Sequence, residues 1–109
     1  MAFRIKTNDT SPLLSVTLTD ANGTGIGLAG ASARFHMKAF GADSLKIDAP
    51  ATVGIVGVGV DGLVTYDWIA GDTDTAGTYY GEIEVTYGDA RVETFPNNGY
   101  FTIIIKEDL

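Results

Sequence analysis

The run GDTDTAGTYYGEIEVT from Gly71 to Thr86 constrains the fold of this chain more than any other stretch. A polar corner of Asp, Thr and Gly leads into a segment in which Tyr79, Gly81, Ile83 and Val85 alternate with Tyr80, Glu82, Glu84 and Thr86. Successive side chains of a strand point to opposite faces, so the first set is read as buried and the second as solvated. A Tyr at the start of a strand, directly after such a corner, is the device by which two-sheet β-sandwiches pin one sheet edge to the other. The run predicts a fold and offers no chemistry of its own.

The rest of the chain repeats this grammar. Phe3 and Ile5 alternate with Arg4 and Lys6, and TNDTSP ends that strand because Pro12 cannot donate to a ladder. Leu14, Val16 and Leu18 share one face, and Asp20-Ala21-Asn22-Gly23 closes the strand as a turn. Ala33, Phe35 and Met37 oppose the basic set Arg34, His36 and Lys38. The stretch from Gly41 to Pro50 reads as a connector with a short strand around Lys46 to Asp48. A strand over Val53 to Val60 then joins Leu63 to Trp68 through an Asp61-Gly62 hairpin turn. Arg91 to Phe95 and Tyr100 to Ile105 are separated by Pro96-Asn97-Asn98-Gly99. No window holds a helical period, so the prediction is an all-β sandwich of about 7–9 antiparallel strands.

Length and composition bound the remainder. A chain of 109 residues makes one domain, residues 1–109. A domain of that size buries roughly 65% of its unfolded surface in one core. With no cysteine, neither a disulfide nor a thiolate metal site is available, and the sandwich must hold by packing. That also fits assembly in a reducing cytoplasm. The formal charge of −7 repels nucleic-acid phosphate and anionic lipid, so neither is an expected partner. MAFRIKTND has no apolar run of the signal-peptide kind, and no segment has the apolar length of a membrane span.

Few residues offer chemistry. His36, the only histidine, lies on the solvated parity of its strand, where Glu82 or Glu84 is the expected cross-strand neighbour. Asp72-Thr73-Asp74 with Gly77 begins like a calcium loop, but Ala76 and Ile83 stand where further ligands belong. A weak cation at Asp72 and Asp74, with Asp67 as a third ligand, is weighed against side chains that merely cap the corner backbone. Gly54, Gly57 and Gly59 form no phosphate loop. They mark a bent strand, or a flat edge against which a neighbouring subunit packs. No nucleophile–base pair presents itself, so the expectation is a non-enzyme with no cofactor and no metal.

The segment Ala76-Gly77-Thr78-Tyr79-Tyr80-Gly81 resembles the immunoglobulin corner signature, with Gly81 in place of its Cys and Asp74 one residue too far from Tyr79. The predicted sandwich is therefore immunoglobulin-like in a loose sense. Four ordered blocks are spread along the chain: D-T-x-P-L from Asp9, L-x-G-A-x-x-x-F-x-M from Leu28, G-x-V-x-Y-x-W from Gly62 and E-T-F-P-N from Glu93. Together they resemble the N-terminal domain of the phage baseplate upper protein family. The resemblance implies a virion structural protein assembled in the host cytoplasm. It would be an adaptor of tail, baseplate or fibre attachment, present in several copies or as a homo-oligomer among other phage structural proteins. A capsid decoration or head-fibre base protein is the alternative within that reading.

Such a protein works through outward apolar side chains. The expected contact residues are Phe3, Tyr80, Phe95, Tyr100 and Ile104, with Phe40 able to extend the surface. A receptor- or carbohydrate-binding module is the second class, and its only material is Trp68, Tyr80, Tyr100, Asn97 and Asn98, with Trp68 on the buried parity.

Overall fold

The computed structural model of the chain describes residues 2–54 and 62–109. Among these, eight strands and no helix are found: β1 (Ala2–Lys6), β2 (Leu14–Thr17), β3 (Ser32–Ala39), β4 (Ile47–Val53), β5 (Leu63–Tyr66), β6 (Gly77–Thr86), β7 (Val92–Phe95) and β8 (Phe101–Lys106). The strand order is β1-β8-β6-β3-β4-β5-β2. The long β6 has β3 on one side; on the other, β8 pairs its first half and β7 its second. The first sheet is thus built on β6, and β5 and β2 form a smaller second sheet.

β4 hands the chain from one sheet to the other. Its residues Ile47 to Ala51 pair with β3, and only Thr52 and Val53 pair with β5. Pro50 is tolerated inside this strand because β4 has no second described neighbour there, so no ladder bond is forfeited. The short strand expected around Lys46 to Asp48 is the start of β4, which runs on through Pro50 to Val53 where the sequence reading had a connector to Pro50 and a separate strand from Val53. The remainder of that expected strand, with Gly57, Gly59 and Asp61, lies outside the described residues.

One pairing departs from the antiparallel expectation. β1 runs parallel to β8, with Phe3 beside Ile103 and Ile5 beside Ile105. Parallel neighbours cannot be joined by a tight turn. Here almost the whole chain serves as the connection.

The two sheets meet over the alternating sets. Ile5, Phe35, Met37, Ile83, Val85, Ile103 and Ile105 of the first sheet face Leu14, Val64 and Tyr66 of the second, all buried. Burying a side chain of this size contributes about 1.5–3 kcal/mol each. Phe35 is the aromatic hub: its ring lies 4.8 Å from Tyr66, 5.8 Å from Trp68 and 6.2 Å from Phe101. Trp68 also stacks on Phe3 at 5.8 Å. Aromatic contacts across the sheets thus replace the disulfide that a cysteine-free sandwich cannot form.

Candidate functional site

The corner after β5 is a structural lock. The Tyr79 hydroxyl donates to the Thr75 carbonyl at 2.7 Å, the backward bond expected of a Tyr at this point. Asp72 Oδ2 accepts from the Tyr66 hydroxyl at 2.6 Å and from the Ile69 amide at 3.0 Å. Asp74 Oδ1 accepts from Lys46 Nζ at 2.7 Å and Thr75 Oγ1 at 2.9 Å. Those two donors, Lys46 foremost, hold the Asp74 carboxyl below its ordinary value. Thr73, the one buried polar side chain among the described residues, donates to the Asp9 carbonyl at 2.8 Å, while the Asn8 amide returns a bond to the Thr73 carbonyl. Two of the three carboxylates weighed as cation ligands, Asp72 and Asp74, are thereby engaged through one oxygen each by donors from β5, the β3–β4 connector and the corner itself.

The outer face of the first sheet carries a second polar group. His36 lies directly opposite Asp48 on β4 and Glu82 on β6. Its Nε2 is 3.2 Å from Asp48 Oδ1 and its Nδ1 is 3.4 Å from Glu82 Oε1. Of the two neighbours expected, Glu82 and Glu84, the register sets Glu82 opposite His36 and Glu84 opposite Arg34. Asp48 falls in the short strand expected around Lys46 to Asp48, but the sequence carries no sign that this strand pairs with β3 beside His36. Arg34 Nε also donates to Asp48 Oδ1 at 2.9 Å, and this bond, ahead of the charge of His36, lowers the Asp48 carboxyl. The two carboxylates flank opposite ring nitrogens, so they do not converge with the imidazole on one ion. No cluster of three or more metal-ligating side chains occurs among the described residues.

Beside this ladder the same face becomes aromatic. Tyr80 and Tyr100 stack with centroids 5.1 Å apart and planes at 21°, and Phe40 meets Tyr80 edge-on at 5.6 Å. Leu45 completes the group, lining with His36, Lys38 and the two tyrosines a shallow hollow of about 130 Å³. An open depression of about 680 Å³ continues along Phe40, Thr78, Tyr80 and Thr102. Phe40 is 70% exposed, Tyr100 56% and Leu45 46%.

The expected contact residues separate by register. Residues directly opposite one another on paired strands share a face. Tyr80 pairs with Thr102 and Lys38, and Ile104 with Arg4 and Thr78, all on the outer side. Tyr100 precedes β8 and joins Tyr80. Phe95 instead pairs with Ile83 and is buried, so it belongs to the core and not to a contact surface. Phe3 pairs with Ile103 and packs inward on Trp68. Trp68 is buried too, and its Nε1 has no hydrogen-bond partner among the described residues. Leu45 escaped the sequence reading because the Gly41–Lys46 connector has no periodicity to reveal it.

No family model and no curated protein matches the chain. Among solved structures it is similar to CopC from Methylosinus trichosporium OB3b, with a TM-score of 0.55 and 14% identity over 99% of this chain and 86% of that one. At that identity the likeness shows the all-β sandwich fold alone. The similar structure is CopC and not a phage particle protein, and on that finding the expected virion role is corrected, together with its decoration and receptor- or carbohydrate-binding alternatives. The physical reason is visible in the quoted blocks. Leu28, Phe35, Met37, Val64, Tyr66, Trp68 and Phe95 are all core residues, so the blocks specify a sandwich interior, which many functions share.

Proposed function

We propose that the chain is a non-catalytic binding domain that docks a protein partner on the aromatic group Phe40, Tyr80 and Tyr100 of its outer sheet face. One observation carries the reading: of seven exposed large apolar side chains among the described residues, Phe40, Leu45 and Tyr100 gather at one place around Tyr80. Apolar residues scattered singly mean nothing, whereas a contiguous patch rimmed by charge is typical of a contact surface. The depression of about 680 Å³ is open, and the hollow of about 130 Å³ is too small to bury a typical small ligand. Tyr and Phe bring large contact area with few rotors, which suits the centre of an interface. A catalytic role for His36 finds no support in its setting, because a carboxylate occupies each ring nitrogen.

A photo-crosslinking side chain placed at Phe40 or Tyr100 tests this in the native cellular extract. Adducts of one defined mass are expected from both positions, absent from control positions Asp20 and Asp89, and competed by the unlabelled chain but not by its Phe40→Ser/Tyr100→Ser form. Equal labelling at all four positions, or none at 40 and 100, would overturn the proposal.

A further inference from the structure

Resting on that docking surface, we infer that its occupant is a second copy of this chain, packed face to face about a two-fold axis that runs along the groove between β3 and β6. The register supplies the argument. On the outer face β3 presents Arg34, His36 and Lys38 in a line, and β6 presents Glu84, Glu82 and Tyr80 in the same rows. A two-fold lying in the interface and parallel to these strands carries the β3 line of one copy over the β6 line of the other. Arg34 then meets Glu84 of the second copy, His36 meets Glu82, and Lys38 lies over the Tyr80 ring, each contact occurring twice as an isologous interface requires. Lys38 has no carboxylate partner among the described residues, and a cation over a Tyr face is attracted by the ring. Arg34 uses Nε and Nη2 on Asp48, which leaves guanidinium donors free for a further carboxylate.

Charge points the same way. The chain as a whole is at −7, a sign that keeps most of its surface apart from another copy. Along the β4, β3 and β6 rows Arg34 and Lys38 offset all but one of the charges of Asp48, Glu82 and Glu84, and Arg4 adds a cation on the same side, so the face is near-neutral and two-signed in a chain of net charge −7. A partner of uniform charge would leave one of the two lines unmatched, whereas a second copy matches both.

The test is a charge swap between copies, read by sedimentation equilibrium across a concentration series. The wild-type chain is expected to pass from monomer to dimer. Arg34→Glu sets two carboxylates against each other twice, and Glu84→Arg does the same with two cations, so each variant alone is expected to lose at least ~10-fold in dimer affinity. Mixed in equal amounts, the two variants form a heterodimer in which both contacts again pair opposite charges, and the dimer mass returns. Thermal melts establish that each variant is folded. Should either fail to fold, a photo-crosslinking side chain at Tyr80 in the otherwise wild-type chain is expected to give an adduct of twice the chain mass joined to β3. A wild-type chain that stays monomeric, folded variants whose mixture stays monomeric, or no homodimeric adduct at Tyr80 overturns self-association. If residues 40 and 100 still label a different protein, the docking surface stands and only its occupant changes; if they label nothing, both fall.

Discussion

The Tyr79 hydroxyl reaches back four residues to the Thr75 carbonyl at 2.7 Å, which fastens the start of the longest strand to the corner that precedes it. Tyr79 is buried while Thr75 is exposed, so deletion of the hydroxyl leaves a carbonyl that water can satisfy. Tyr79→Phe is therefore expected to cost only the net value of one hydrogen bond, about 1 kcal/mol. Urea unfolding checks this: the midpoint falls and the slope stays unchanged. A loss several times larger would mean that the bond fixes the corner itself and is not one tie among several.

Gly81 makes room for Phe101. A Cβ at this position would stand 2.5 Å from Phe101 Cε2, 2.8 Å from its Cζ and 3.0 Å from Ile103 Cδ1. The immunoglobulin signature has a cysteine here, and this chain gives the space to an aromatic ring that stacks toward Phe35. Gly81→Ala is expected to destabilise by about 1–3 kcal/mol through overpacking. Combined with Phe101→Leu, the penalty should be smaller than the two single losses added together, because the shortened side chain vacates the contested volume. Additive losses in a double-mutant cycle would show that the two positions do not compete.

How far these features were legible depends on their range along the chain. The Tyr79 corner and the alternation of β6 could be read directly, because both are set by neighbours within a few residues. The inward sets Phe35/Met37 and Val64/Tyr66 followed from parity alone. Phe95 was misjudged because its own four-residue strand is too short to declare a parity; its pairing with Ile83 decides it. The parallel contact of β1 with β8 leaves no turn signal, since it joins the two ends of the chain. Pro50 hid the second half of β4, since the expected strand around Lys46 to Asp48 stops short of it, and nothing local shows that this strand pairs with β3 and sets Asp48 beside His36. The aromatic patch was half legible: Tyr80 and Tyr100 stood on the solvated parity, but nothing local ties Leu45 to them.

The Asp-rich corner makes a prediction about metal ions. Asp72 Oδ2 is held by Tyr66 and the Ile69 amide, and Asp74 Oδ1 by Lys46 and Thr75, so a calcium ion would meet two carboxylates each already committed through one oxygen, with the Lys46 ammonium beside one of them. An ion bound at 100 times its dissociation constant would stabilise the fold by about 2.7 kcal/mol and raise the melting temperature by several degrees. Millimolar calcium is expected to leave the melting temperature where it is. Lys46→Met releases Asp74 and is the variant in which any response to calcium would first appear. A rise in the wild-type chain would return the corner to the class of cation sites.

Two tyrosine hydroxyls tie stability to alkaline pH. Burial, reinforced by the Asp72 carboxylate that accepts its hydroxyl, pushes Tyr66 above the ordinary 10. Burial first and Glu93 second push Tyr87, whose hydroxyl donates to Glu93 at 2.7 Å, up to about 12. Because both folded-state values lie above the unfolded one, the unfolded chain gives up these protons first as pH rises. Their contribution is complete below pH 10, declines above it and, for Tyr87, is gone once pH passes about 12. Unfolding by urea at a series of pH values should give a free energy that is insensitive to these groups at neutral pH and falls steeply above 10. Tyr87→Phe should flatten part of that fall, and Tyr66→Phe should flatten more, since its hydroxyl is the more strongly shifted. An equally steep loss in the Tyr66→Phe/Tyr87→Phe chain would assign the alkaline transition to other groups, and the hydrogen bonds to Asp72 and Glu93 would then have no part in it.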